Sequence, residues 1–259
     1  MSRFVEHLTD AWGEYWSGGD ARAAGLIYGA DVAFWNVARG RTGEVVGVDA
    51  VSGERFALLT RSDRAGVVVS TTLVDGPIVV VEFVLTTAEC GAPAATPGCA
   101  WWWVDDQGRI TREEWWLDPA AGGPASPEIA GRPLRSDAPD PGPEHRRRLV
   151  ERIVEAADAD PAAVVGHAPG AVVELLGEDP ASPGAGVDVG VDVVERTTTV
   201  HALAGAGPFV AWTEVTVEVG SDGAARTRPT AHVAVLDRDG RIAGEHVYRL
   251  RPWSTRAHR

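Results

Sequence analysis

Three side chains in this sequence have the type and setting to move protons: His232, Glu245 and Glu113. His232 and Glu245 lie in two runs of strand-like alternation, AHVAVL and IAGEHVY, separated by the turn sequence DRDGR. A two-residue turn at Arg238-Asp239 sets them directly opposite each other; a three-residue loop with Gly240 in the left-handed position and a bulge sets Val233 opposite Glu245 instead. An imidazole beside a carboxylate in an apolar pocket can keep an acid or base near neutral pH, because each charge stabilises the other while burial opposes charging. The competing reading is a surface or interface hydrogen bond. Glu113 occupies the same place in an earlier hairpin, opposite Ala100 in the equivalent register, among Trp101, Trp102, Trp103 and Trp115. A carboxylic acid among indoles has its pKa raised by desolvation and could work alone as acid or base. Against that, tryptophan on a curved sheet often fills core and dimer interface, leaving Glu113 or Glu114 simply solvated.

Around these groups stand candidate ligand contacts. Trp212 and Glu214 are two apart on one strand and share a face. Trp12 and Tyr15 recur at helical spacing, which suits helix core as well as a pocket wall. Trp102 and Trp115 flank Glu113. Asn36 is the only asparagine in the chain, and a buried one needs its amide satisfied, by a substrate oxygen or by backbone.

Other chemistries are excluded by what is absent. The chain has no lysine, so imine-forming and pyridoxal-phosphate mechanisms are ruled out along with a Walker lysine. No H-E-x-x-H or C-x-x-C occurs, no G-x-G-x-x-G follows a strand, and the histidines lack metal-ligand spacing. The expectation is neither metal nor cofactor. A net charge of -13 repels phosphate backbones and anionic membranes, so no nucleic-acid partner is expected. The one basic run, Arg146-Arg147-Arg148, opens a helical pattern and reads as a solvated face. No run approaches the ~20 apolar residues of a membrane span, and the N-terminus lacks a signal-peptide core, which predicts a soluble cytoplasmic protein. Cys90 and Cys99 flank a Gly/Pro/Ala loop and are expected to stay reduced in that setting.

The elements that must position these residues fall into two similar halves. Residues 1–119 begin with a helix through Phe4, Leu8, Trp12 and Tyr15, stopped at Ser17-Gly-Gly-Asp20, which caps a second one. A short run at 32–37, a helix over about 49–61, strands near 67–74 and 77–87 and a hairpin over 100–104 and 110–117 follow. Residues 120–143 form a Pro/Gly-rich linker. Residues 144–253 form the second half, and 254–259 a tail. VDDQGRI at 104–110 returns as LDRDGRI at 236–242, and Gly76-Pro77 returns as Gly207-Pro208, which marks a duplication. GDARAAGLIYGADV (19–32) also resembles ADPAAVVGHAPGAV (159–172), though less specifically.

The order helix, G-D-A-R-A-A, Y-G-A-D-V, D-A-V and a last hairpin D-D-Q-G-R-I-T-R-E-E-W resembles the nuclear transport factor two superfamily, with ketosteroid isomerases and SnoaL-like polyketide cyclases nearest. The resemblance covers residues 3–119 and, more loosely, 144–253. It implies an α+β fold of two tandem cone-shaped domains, each a curved antiparallel sheet with helices on the concave face, joined as an internal pseudo-dimer. Glu82 then points to the convex face. The isomerase residues do not carry over: the general-base aspartate falls on Asn36 and about Leu176, the oxyanion tyrosine on Trp12 and Arg152, and the protonated acid on Ala100 and His232. The cyclases, thought to use a cavity carboxylate and a histidine on the last two strands, match His232 and Glu245 better. What the resemblance implies is a cofactor-independent acid/base enzyme of secondary metabolism, with Glu113, His232 and Glu245 as its acid/base groups. Its substrate would be a hydrophobic, polyketide-like small molecule undergoing cyclisation, isomerisation or dehydration. Epoxide opening on the same fold, and a non-catalytic binding or scaffolding protein, are the alternatives.

Overall fold

The computed structural model describes residues 2–62, 64–89, 92–117, 123–124, 134–159, 166–176, 193–221, 223–250 and 253–254. The chain divides into two compact units, Met1–Pro133 and Leu134–Arg259.

In the first unit, α1 (Ser2–Trp16) is followed by a 3-10 turn at Ala21–Ala23, α2 (Ala24–Ile27), β1 (Tyr28–Asn36), a 3-10 segment at Val37–Gly43, β2 (Glu44–Val46) and α3 (Val48–Arg61). Four long strands then form the meander: β3 (Arg64–Asp75), β4 (Ile78–Glu89), β5 (Ala92–Val104) and β6 (Ile110–Trp116), with a two-residue strand β7 (Gly123–Pro124) beside β5. The sheet order is β2-β1-β6-β5-β4-β3. It is antiparallel except where β1 runs parallel to β6. That one parallel contact brings the start of the chain against its last strand and places helix-borne side chains over β6. Alternation then sorts the strands into two faces. Val79, Val81, Phe83 and Leu85 of β4, with Trp102 and Trp115, join Trp12, Tyr15 and Trp16 of α1 in one core. Glu82 falls on the opposite face, as alternation predicts, and is buried there with Cys99 opposite it. Cys99 carries a free thiol whose pKa burial pushes up; Cys90 lies outside the described residues.

The second unit repeats this plan with α4 (Pro143–Ala159), β8 (His167–Leu176), β9 (Val193–Ala204), β10 (Phe209–Gly220), β11 (Ala225–Leu236), β12 (Ile242–Arg249) and the short β13 (Trp253–Ser254). The order is β8-β12-β11-β10-β9, again antiparallel except for β8 beside β12. Proline at the first position of α4 suits a helix start, because its missing N–H has no intrahelical partner there. The predicted helical start at 159–172 falls partly outside the described residues, and its end is strand β8.

The duplication is visible in bond geometry. Asp105 and Asp237 each accept two backbone N–H groups in their turns, from Gln107 and Arg109 and from Asp239 and Arg241. Val104 N–H donates to Pro77 O and Leu236 N–H to Pro208 O, both at 2.8 Å. The turn glycines are needed twice over. Gly108 and Gly240 have φ of 78° and 73°, and a Cβ on either would run into the ring of Phe4 or of His145.

Two expectations need correction. Of the arginine run, Arg147 and Arg148 are exposed and paired with Glu144, but Arg146 is buried, its guanidinium 2.7 Å from Asp140 and 3.0 Å from Gly207 O. Position 146 lies on the same stripe of α4 as Leu149, Val150 and Val154, and that stripe faces the sheet. The register of the last hairpins also differs. Both turns are followed by an extra residue, Thr111 in β6 and Ala243 in β12, so Glu113 pairs with Trp102 and Glu245 with Ala234. Neither Ala100 nor His232 is directly opposite, and Val233 is not either.

Candidate functional site

Glu113 and Glu245 occupy equivalent positions, each three residues after the isoleucine that closes its turn, and each is enclosed by a different set of donors. Glu113 has no solvent exposure. Its Oε1 accepts the indole N–H of Trp12 at 2.6 Å, of Trp115 at 2.6 Å and of Trp102 at 3.2 Å. Its Oε2 accepts the Tyr28 hydroxyl at 2.6 Å, and Tyr28 in turn accepts Trp16 Nε1–H at 2.9 Å. The rings pack on one another, with Trp16 and Trp115 centroids 4.3 Å apart and Trp12 and Trp102 at 5.1 Å. Burial raises the Glu113 pKa from 4.5 to about 7, with the four donors pulling the other way. The same burial, with the charge of Glu113, pushes the Tyr28 phenol well above its ordinary value.

This geometry reassigns several predicted ligand contacts. Trp12, Trp102 and Trp115 turn their only polar atoms onto Glu113, so these atoms are engaged within the fold. Tyr15 is buried, its hydroxyl 3.1 Å from Ser52 Oγ and its ring under the Arg55 guanidinium. Asn36, at the end of β1 beside Trp115, is buried with its Oδ1 accepting no hydrogen bond. The solvated alternative for Glu113 and Glu114 does not hold: Glu114 is also buried, on the opposite face, where it pairs with Arg112.

In the second unit, the structure brings together all four predicted residues. His232 Nδ1 lies 2.6 Å from Glu245 Oε1 although the two are diagonal, not opposite, across β11 and β12. The other imidazole nitrogen, Nε2, faces Glu214 Oε1 at 3.5 Å, an ion-pair distance without a formed hydrogen bond. Trp212 stacks on the His232 ring at 4.2 Å and 5°, and its own N–H donates to Glu214 Oε2 at 3.2 Å. A fifth member was missed from sequence: His167 Nε2 lies 2.7 Å from Glu245 Oε2.

An ionised carboxylate only accepts, so the Glu245 geometry has His232 Nδ1–H and His167 Nε2–H donating to its two oxygens. With Nδ1–H committed, a neutral His232 would present a lone pair to Glu214; the imidazolium satisfies both carboxylates. Burial opposes that charge, and Glu214 and Glu245 more than offset it, raising the His232 pKa from 6.5 to about 9. For Glu245, burial is outweighed by His167 and His232, which hold it down at about 2. Glu214 is lowered as well, by His232 and Trp212 against its burial. Glu214, His232 and His167 keep 15, 12 and 13% side-chain exposure, unlike Glu113.

The ladder shows why the two sites differ. Tyr28 pairs with Ile110 in one unit and His167 with Ile242 in the other, so His167 replaces Tyr28. Ala100 pairs with Trp115 and His232 with Val247, so His232 replaces Ala100, as the sequence repeat predicted. Phe4 and His145, against equivalent glycines, fix the helices, and on that count Ile153 stands where Trp12 does, not Arg152. The one-residue offset between the two halves hid His167; aligning Tyr28 with His167 instead of Ala168 would have found it.

A hollow of about 480 Å³ on α4, lined by His145, Arg148, Glu151, Arg152 and Glu155, includes neither Glu113 nor Glu245. Among the described residues no group of three or more His, Cys, Asp or Glu is placed to hold a metal ion. None of their helices is long and apolar enough to cross a membrane.

No family model matches the sequence, and no curated protein does. Solved structures do resemble parts of it. A protein of ketosteroid isomerase-like fold from Catenulispora acidiphila, solved with trimethylamine, is 23% identical over 42% of this chain and 82% of its own, with a TM-score of 0.38. A protein from Jannaschia sp. provisionally named a SnoaL-like polyketide cyclase is 20% identical over 46% of this chain and 88% of its own, at 0.40. An LEH-like epoxide hydrolase from Mycobacterium tuberculosis is 20% identical over 43% and 80%, at 0.38. Each likeness covers a stretch about the length of one unit.

Proposed function

We propose that the chain is an acid/base enzyme acting on a hydrophobic, enolisable small molecule of polyketide type, and that the second unit carries the chemistry. The observation that carries this reading is His232, held by Glu245 at Nδ1 while its buried Nε2 faces Glu214 without a hydrogen bond, in side chains that keep 12 and 15% exposure. Glu214, an anion at neutral pH, takes the proton from a carbon next to the substrate carbonyl. His232 Nε2–H donates to the carbonyl oxygen as its charge develops. Protonated Glu214 then returns its proton to Nε2, which restores both groups without any outside acid. Trp212 fixes the imidazole plane and offers an aromatic wall. Ring closure, double-bond shift and loss of water all begin with this proton transfer, and none of these steps requires a cofactor. Glu113, sealed by its four donors, is in this reading part of the scaffold.

The test is exchange of substrate α-hydrogens for deuterium in D2O, followed by NMR over a panel of 1,3-diketones, aromatic polyketides and steroids. His232→Gln and Glu214→Gln are expected to lose about 100-fold or more, the scale of general acid/base catalysis. Glu113→Gln is expected to keep wild-type exchange. Exchange that survives in His232→Gln, or stops in Glu113→Gln, moves the chemistry to the first unit. No exchange by the wild-type protein on any compound would leave the binding or scaffolding alternative standing.

A further inference from the structure

His167 sits at the start of β8, 78 residues before Glu245 in the chain and beside it only because β8 runs parallel to β12. We propose that His167 is a positioning residue: its ring N–H clamps the second oxygen of Glu245, holding that carboxylate ionised and aimed at His232. The proposal rests on the reading of the second unit as the active one, and it adds a residue that never touches substrate.

The geometry supports a clamp over a passive neighbour. Glu245 is diagonal to His232 across the strand pair, and its Oε1 reaches Nδ1 at 2.6 Å. Without a partner on Oε2 the group could turn about its last torsion, which is soft. His167 lies 2.7 Å from Oε2, and that contact removes the freedom. The groups facing Glu245 are few. β11 contributes His232 and β10 contributes Glu214 beyond it; the nearby part of α4 contributes Leu149, Val150 and Ile153, which are uncharged. His246 and Glu174, 3.7 Å apart, belong to the other face of the same two strands. His167 is therefore the donor that can hold Oε2. In the first unit the equivalent oxygen is held by Tyr28, so the clamp position is retained while its chemistry changes.

The experiment follows the Glu245 carboxyl by carbon-13 NMR as pH falls, in the wild type, His167→Phe and His167→Gln, with deuterium exchange measured alongside. Removing a donor from the anion makes it easier to protonate. In His167→Phe the Glu245 titration is expected to rise by about one pH unit or more, with the acid limb of exchange rising equally, kcat falling and KM unchanged. His167→Gln, which keeps an N–H, is expected to lie near the wild type. Should His167→Phe fail to fold, His167→Leu, which also lacks an N–H, takes its place. A Glu245 titration unchanged in the donor-less variant would overturn the clamp. Because the titration needs no substrate, it decides the clamp even where the wild type exchanges nothing and the enzymatic reading fails.

Discussion

One carboxylate position, duplicated, has been given opposite electrostatic settings in the two halves of this protein. Around Glu113 the donors are three indoles and a phenol, all neutral, so the charge is hydrogen-bonded but not balanced. Around Glu245 they are two imidazoles, one of which also faces Glu214. Neutral donors do not fully offset the desolvation of the first acid, which stays near pH 7; partners that can be charged overcompensate in the second, which falls to about 2. The contrast teaches that burial alone does not tell how a carboxylate titrates. The charge available to its donors decides it.

The contrast breaks most sharply when the second carboxylate is removed. Glu245→Ala would leave the His232 imidazolium buried beside Glu214 alone, and removing one partner of a buried pair costs about 3–5 kcal/mol. Chemical denaturation followed by signals of the second unit should show that loss. Deuterium exchange should fall with it by about 100-fold or more. A Glu245→Ala protein as stable as the wild type would mean that the pair contributes nothing to the fold.

The next largest effect is on pH dependence, where both units should lose stability as pH rises but over different windows, the first between about pH 4.5 and 7 and the second between about pH 6.5 and 9. The folded first unit holds the Glu113 proton more tightly than the unfolded chain does. Its contribution is therefore greatest below pH 4.5, is lost as pH rises through about 7, and is flat above, a loss on the order of 3 kcal/mol. Eight of the ten tryptophans lie in residues 1–133, so fluorescence-detected unfolding reports this unit, and Glu113→Gln should remove the slope. For His232 the folded pKa is raised, so its contribution is complete below pH 6.5 and disappears as pH rises through 9. For Glu245 the folded pKa is depressed, so its contribution is complete above 4.5 and disappears as pH falls through 2. The second unit should thus be most stable between about pH 4.5 and 6.5, with the two flanks sharing one coupled pair. Amide hydrogen exchange in β11 and β12 across pH would trace that plateau. A monotonic profile would contradict the ion-paired description.

How much of this could be read from sequence depended on distance along the chain. The two hairpins were legible because turn residues repeat, D-x-x-G-R-I, and local alternation carries side chains to one face. His232, Glu245, Trp212 and Glu214 are within 34 positions of one another on adjacent antiparallel strands, so hairpin logic alone gathers them. The register was misjudged, since an extra residue beyond the turn, Ala243 or Thr111, leaves no mark in composition. His167 was invisible for a different reason: a parallel pairing has no turn to set its register, and the strand lies on the far side of the whole meander. Arg146 was misread because charge runs are solvated by habit, while its place on the apolar stripe of α4 fixes it inward.

The smallest expected effect separates packing from charge in the first cage. Trp12 and Trp115 donate to Glu113 at 2.6 Å, while Trp102 donates at 3.2 Å, so its hydrogen bond is the weakest of the three. Phenylalanine at position 102 removes the N–H along with part of the ring. The lost packing costs the same at any pH. The lost hydrogen bond costs only where Glu113 is ionised, so it should add about 1 kcal/mol at pH 8 that is absent at pH 5. Denaturation of Trp102→Phe at both values isolates that difference, and Trp12→Phe should show a larger one. If the cost of either substitution is the same at both pH values, the indoles fill space without holding the charge. In that case the first carboxylate would be tuned by burial alone, and the donors would matter only in the second unit, where they can carry charge.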